Sequence, residues 1–393
     1  MKGALAWPFL RLYVLTLLYF SANSILNVII PLKGESLGAS NSTIGIVMGA
    51  YLFTTMFLRP WAGQVIYQLG PVKVLRVILV INAIALSLYT FTGLGGYFLA
   101  RMLQGACTAF FSMSLQLGII DALPEKDRSQ GISMYSLCAS MPGVIGPLMA
   151  INIWETGKMS VFAITLVGMA VLTGAVGFFA TMKTEADNRP AVQRTGMRGS
   201  FGQLFTNPHL FRCSILMLVA SIVFGAVTTF IPLYATQIDH GNAAVYLMLQ
   251  AAMIVAARFF LRKKIPSDGR WHPMFVSWII LALMAASLCT GFSIIGGFTV
   301  FYCGALLMGL AQAMLYPTLT TYLSFVLPEN KRNVLIGLFI AMADLGISLG
   351  GVIMGPVADL LSYAWVYFIC AFLGGSLFLF VYGQQSDKFR ISE

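Results

Sequence analysis

Four side chains able to donate and accept hydrogen bonds, Gln104, Thr108, Ser112 and Gln116, recur every fourth residue in an otherwise apolar stretch. That spacing lines them along one face of a helix, with Arg101 close by on the same broad face. Gln312, Tyr316 and Thr320 repeat the pattern later in the chain, and Tyr19, Asn23 and Asn27 form a third row. Ser221, Gly225, Thr228 and Pro232 form a fourth. Polar groups in hydrocarbon are costly unless they meet protein or water, so each row marks an inward face. Two chemistries fit such rows. One is hydrogen bonding that glues neighbouring helices together; the other is a water-filled central cavity whose amides and hydroxyls bind a hydrophilic solute. Four rows at corresponding places in the chain favour the cavity.

Ionisable residues inside the apolar stretches are few. Asp344 lies about eleven residues into its stretch, near the middle of a bilayer at about 1.5 Å per residue. Such a carboxyl is neutral, paired with a cation, or a titrating group coupled to transport. Proton or substrate coupling is the leading reading, with a structural hydrogen bond as the other. Asp121 and Asp359 sit near segment ends. Arg101 carries a permanent charge that calls for a carboxylate or carbonyl partner, either from a solute or from the architecture. Arg59 and Arg258 lie at segment ends, where the charge reaches water cheaply, and read as structural. Gly146 with Pro147 and Gly355 with Pro356 soften helices and allow close packing, which suits gating by two bundles that rock.

The elements that position these groups follow from composition. Of 393 residues, 58% are hydrophobic and 10% charged, and mean hydropathy is +0.84, values that place most of the chain against a lipid bilayer. Twelve apolar segments can be marked, at roughly 9–32, 43–67, 73–92, 96–121, 129–152, 159–182, 209–236, 243–262, 272–291, 297–323, 333–357 and 364–383. The N-terminal run is too long for a signal peptide and is followed by others, so it reads as a retained first helix. Lys and Arg crowd the connections on one side, whereas the other side holds Lys33 and Lys158. The positive-inside rule then puts both termini in the cytoplasm of a cell membrane. A polar stretch separates an N-terminal six-helix bundle (1–182), a cytoplasmic linker (183–208) and a C-terminal six-helix bundle (209–393).

An internal repeat supports that division. Leu123-Pro124-Glu125 with Arg128 recurs as Leu327-Pro328-Glu329 with Arg332, and Gly146-Pro147 recurs as Gly355-Pro356. Six segments per half orient the copies alike, giving two parallel repeats in an all-α membrane protein. The net charge of +10 resides in short loops, so it reports orientation and no nucleic-acid partner. Six scattered cysteines and three histidines in different loops form no ligand cluster, so neither a metal site nor a cofactor is expected. With no phosphate-binding loop and no paired catalytic carboxylates, an enzyme is not expected either. The expected partners are the bilayer, a small solute and a proton, and the expected assembly is a monomer.

The residues also resemble a known family. Arg101-Met102-Leu103-Gln104-Gly105 is similar to the fourth-helix motif of the major facilitator superfamily, and Gly143-Val144-Ile145-Gly146-Pro147 to its fifth-helix antiporter motif. Gly63 to Leu75 resembles its loop motif, but Tyr67 and Gln68 stand where Asp and Arg are usual. The resemblance therefore does not extend to the ion-pair latch of the cytoplasmic gate. Longer runs, among them Met1 to Tyr13, Cys107 to Glu125, Tyr316 to Pro328 and Ala343 to Gly351, resemble the staphylopine export proteins of staphylococci and related Firmicutes. That resemblance implies proton-driven export, by alternating access, of an opine-type metallophore bearing carboxylates, amines and an imidazole. It also implies that the metal-free compound is bound. A broad-specificity drug:proton antiporter is the alternative.

Overall fold

Proline and asparagine set several helix starts. Proline at the first helical position has no N–H to leave unsatisfied, and Pro71, Pro142, Pro208 and Pro273 all occupy it. Asn207 and Asn242 cap the helices that follow them, each side chain accepting two backbone N–H groups. Gly70, with φ of 83°, makes the turn into Pro71.

The computed structural model describes residues 6–180, 202, 204–261, 264–266, 268–328 and 332–390. Most of the linker expected over 183–208 lies outside them, as do Glu329 of the repeat and the side chains of Tyr67 and Asp121. In chain order the helices are α1 (Trp7–Ser36), α2 (Asn41–Leu69), α3 (Pro71–Phe91), α4 (Leu94–Ala122), α5 (Glu125–Ser140), α6 (Pro142–Glu155) and α7 (Met159–Phe178). They continue as α8 (Pro208–Tyr234), α9 (Ala243–Phe260), α10 (Pro273–Val326), α11 (Arg332–Leu360) and α12 (Tyr363–Arg390). The described residues contain no β-strand.

Ten spans among the described residues are long and apolar enough to cross a membrane. Two expectations about segments change in detail. The fifth segment divides into α5 and α6 because Pro142 cannot donate to the helical ladder; Met141 keeps helical dihedrals, so 130–155 still reads as one span. The ninth and tenth segments form the single 54-residue α10, interrupted at Gly297 with φ of 69° and ψ of −169°. At about 1.5 Å per residue that helix is long enough to cross twice. Helix α4 is not among the ten apolar spans, and its 29 residues carry Arg101 and the polar row. Large apolar side chains such as Phe91, Ile164, Ile295 and Phe372 are exposed, as lipid-facing groups should be.

The chain forms two compact units, residues 1–34 with 46–193 and residues 35–45 with 194–393. In the first, Leu12, Leu15, Leu75, Leu79, Phe111, Leu115 and Ile119 belong to a buried core built mainly from α1, α3 and α4, to which α2 adds Ala62 and Ile66. Helix α4 touches the backbone of α2 at Gly105, where a methyl group would overlap the carbonyl oxygen of Tyr51. In the second unit α8 and α11 meet backbone to backbone. A methyl group at Gly346 or Gly350 would overlap the carbonyl oxygens of Leu218 or Ile222, and one at Gly225 that of Ile347. Four-residue spacing of Gly346 and Gly350 is the small-residue pattern that lets helices pack this closely in lipid.

Gly350→Ala should therefore cost about 1–3 kcal/mol through overpacking. Gly337→Ala, where a methyl group meets nothing within 4 Å, should be neutral or stabilising by up to about 1 kcal/mol. Thermal unfolding of the two purified variants checks the contrast; equal losses would refute the packing account.

Candidate solute-binding site

In the first unit α1 and α4 pair through their polar rows. Arg101 Nη1 donates to Asn23 Oδ1 at 2.7 Å and Nη2 to Asn27 Oδ1 at 2.8 Å. The two asparagines are one turn apart, about 6 Å along α1, so they grip the two ends of one guanidinium. Further along, the Tyr19 and Thr108 hydroxyls are 3.0 Å apart. Contacts whose residue numbers rise on α1 as they fall on α4 mark an antiparallel register. Helix α2 adds Tyr51, whose ring lies 5.3 Å from the guanidinium carbon and whose hydroxyl is 2.9 Å from Thr108 Oγ1. Met48 Sδ lies 3.4 Å from Nη2. Thr55 Oγ1 donates to the carbonyls of Tyr51 and Gly105, tying α2 to α4.

Arg101 is completely buried, and its Nε has no hydrogen-bond partner. Its partners are amides, a thioether and an aromatic face, and no carboxylate among the described residues is bound to it. Burying a charge costs several kcal/mol. Two charge-assisted hydrogen bonds contribute about 3–6 kcal/mol, and a desolvated cation–π contact about 2 kcal/mol. The charge is thus held but not neutralised. Asn23 and Asn27, which bind it, are half-buried.

The rest of the α4 row is engaged with several helices. Gln104 Oε1 accepts from the Tyr89 hydroxyl of α3 at 2.6 Å. Ser112 is buried and its hydroxyl lies 3.4 Å from the Ala109 carbonyl. Gln116 is half-buried and hydrogen-bonds Tyr135 of α5. Gly146 packs on Ser24, whose hydroxyl donates to the Pro142 carbonyl at 2.8 Å, and Pro147 is buried within α6.

In the second unit Gln250 Nε2 of α9 donates to Gln312 Oε1 of α10 at 3.0 Å. Gly309 lets the two helices touch at the Gln250 carbonyl. Gln312, Tyr316 and Thr320 are all half-buried; Tyr316 packs 5.9 Å from the Phe339 ring, and the Thr320 hydroxyl donates to its carbonyl at 2.7 Å. Arg258, eight residues after Gln250, lies near Tyr316. Asp344 is half-buried on α11, Gly355 is buried and Pro356 exposed. Tyr51, Thr55, Tyr89 and Gln250 were missed from the sequence. The four-residue spacing of Tyr51 and Thr55 was a usable signal for those two.

An all-α chain with many apolar spans, each unit holding a polar row, is a multi-pass membrane protein. Residues 12–294 and 267–388 match the model of the Major Facilitator Superfamily, and the chain belongs to that family. It is 56% identical, over 95% of both chains, to the staphylopine export protein of Staphylococcus aureus (strain Mu50 / ATCC 700699). An uncharacterised transporter of the same type from Burkholderia mallei (strain SAVP1) is 24% identical over 86% of this chain and 81% of its own. Among solved structures, a mutant of the nucleoside transporter NupG matches with a TM-score of 0.80 at 15% identity, covering 96% of this chain and 99% of that one. The human organic anion transporter MFSD10 matches at 0.70 and 15% identity, over 95% and 98%. These two likenesses establish the shared fold.

Asn23→Leu strips one acceptor from a buried cation and should destabilise the protein by about 3 kcal/mol. Adding Arg101→Met removes the charge itself and should restore most of that loss. A melting-temperature cycle over the four proteins checks this; additive losses would mean that Arg101 and Asn23 do not depend on each other.

Proposed function

We propose that this protein exports an opine-type metallophore of the staphylopine kind from the cytoplasm, as a secondary active transporter working by alternating access. The single observation that carries the reading is the 56% identity, across nearly the whole of both chains, to a staphylopine export protein. The chemistry of Arg101 supports it. A fully buried guanidinium held by neutral amides has room for a stronger acceptor, and a solute carboxylate that displaces Asn23 and Asn27 would form the paired, charge-assisted bonds that guanidinium favours.

In this reading Asn23, Asn27, Arg101, Gln104, Ser112 and Gln116 contribute from the first half and Gln312, Tyr316 and Thr320 from the second. Several of these now bind neighbouring helices, so the solute exchanges for existing hydrogen bonds. Asp344 takes up and releases the coupling proton. Gly146, Pro147, Gly355 and Pro356 let helices slide as the halves, 1–182 and 209–393, rock about the linker. Twelve crossings follow from counting α10 twice and adding α4 to the other apolar spans. The chain resides in the cell membrane as a monomer with both termini in the cytoplasm, the side to which the basic loops point.

Deleting the encoding sequence from a metallophore-producing cell should lower extracellular metallophore and raise it inside, and restoring the chain should reverse both. Mass spectrometry of medium and lysate reads the two pools. Unchanged pools would reject the proposal and favour efflux of unrelated drugs.

A further inference from the structure

Asp359 has no role in the site described above, yet its contacts are specific. It is the last acidic residue of α11, and both its oxygens are occupied by the start of α2. Oδ1 accepts from the Asn41 backbone N–H at 2.7 Å, and Oδ2 from the Ser42 N–H at 2.9 Å and from the Ser42 hydroxyl. A carboxylate here satisfies N–H groups that a helix start leaves free and complements the positive end of its dipole. Asn41 is bound a second time, because its Oδ1 accepts from the Tyr363 hydroxyl at 2.8 Å.

Two glycines bring α2 within reach. Gly355 precedes Asp359 by one turn, and a Cβ there would lie 2.6 Å from the Ser42 Cα and 2.8 Å from the Asn41 carbonyl oxygen. Gly351, another turn back, faces Gly45 in the same way, at 2.9 Å from its carbonyl oxygen. Gly351, Gly355 and Asp359 therefore form one seam along α11, and residues 41–45 lie in it. Continued along the same face, the row reaches buried Ser348 and then Asp344. Asp344 and Asp359 are about 22 Å apart along the helix at 1.5 Å per residue.

All these contacts lie inside the second unit, to which residues 35–45 belong, while α2 from residue 46 onward belongs to the first. A helix that begins in one unit and continues in the other carries any relative movement to the seam. We infer that Asp359 is a gating residue: its carboxylate clamps the start of α2 onto the glycine seam, closes the approach to Asp344 from that end of α11, and is released in each transport cycle. The orientation proposed above makes this the outer end. The glycines suit such a joint, because smooth backbone surfaces can part and re-form without side chains to repack.

Two measurements on the full-length chain in cells test the clamp. In the first, Ser348→Cys is labelled from outside with a membrane-impermeant maleimide. Adding Asp359→Ala should raise the labelling rate roughly threefold to tenfold, and Asp359→Glu in its place should bring the rate back toward the starting value. In the second, the pair Ser42→Cys and Asp359→Cys is oxidised, with cross-linking confirmed by peptide mass. Cross-linked protein should lose export, and reduction should return it to the level of the same protein before oxidation. The labelling needs no solute, so its outcome is independent of what the protein carries. Unchanged labelling in Asp359→Ala, failure of the pair to cross-link, or full export by the cross-linked protein would each overturn the inference.

Discussion

A buried guanidinium held by amide oxygens, with no carboxylate bound to it among the described residues, is the constraint around which the first unit is arranged. Arg101 is fully buried yet cannot shed its charge as a lysine could, so its surroundings must supply acceptors. Asn23 and Asn27 do so from consecutive turns of α1, which fixes the rotation of α1 about its axis and its register against α4. Tyr51 covers the charge from α2, and Gly105 lets α2 come near enough. Helices α1, α2 and α4 thus converge on one cation, and the apolar core of Leu15, Phe111 and Leu115 fills the space alongside.

Neutral amides are adequate but weak partners for such a charge. An internal carboxylate would have satisfied it permanently and left nothing for a solute to improve. Hydrogen bonds that hold a cation without neutralising it suit the solute site proposed for Arg101, which would have to bind and release. The second unit is built differently. Its α8 and α11 are joined by glycines at 225, 346 and 350, a contact whose strength lies in close backbone approach. On another face of α11, Gly351 and Gly355 offer a similar surface to the start of α2, held there by Asp359. One helix therefore carries both a fixed backbone contact and one with a single charged fastener.

Period and composition made the membrane fold and the polar rows legible in the sequence. A residue every fourth position must share a helix face, and lipid leaves no other choice for long apolar runs. Which neighbour each face meets was not legible. Gln104 and Thr108 share a row, but one reaches α3 and the other α1 and α2, because α4 is surrounded by helices. Pairing of Arg101 with Asn23 and Asn27 depended on a register between helices more than seventy residues apart. Asp359 read as an unremarkable segment end, since nothing local reveals that a second helix begins against it. Gly355 with Pro356 reads as a softening and close-packing step, but the backbone it packs against, that of residues 41 and 42, has no signal in the sequence.

The central claim is that the Arg101 charge is exchanged from amide oxygens to a carboxylate of the solute. Calorimetric titration of the purified protein with a metal-free opine-type metallophore, and with the same compound after its carboxylates are methylated, tests this most directly. The account predicts that methylation weakens binding by about 10-fold to 100-fold, the value of one lost charge-assisted hydrogen bond. Equal affinity for the acid and its ester would contradict it.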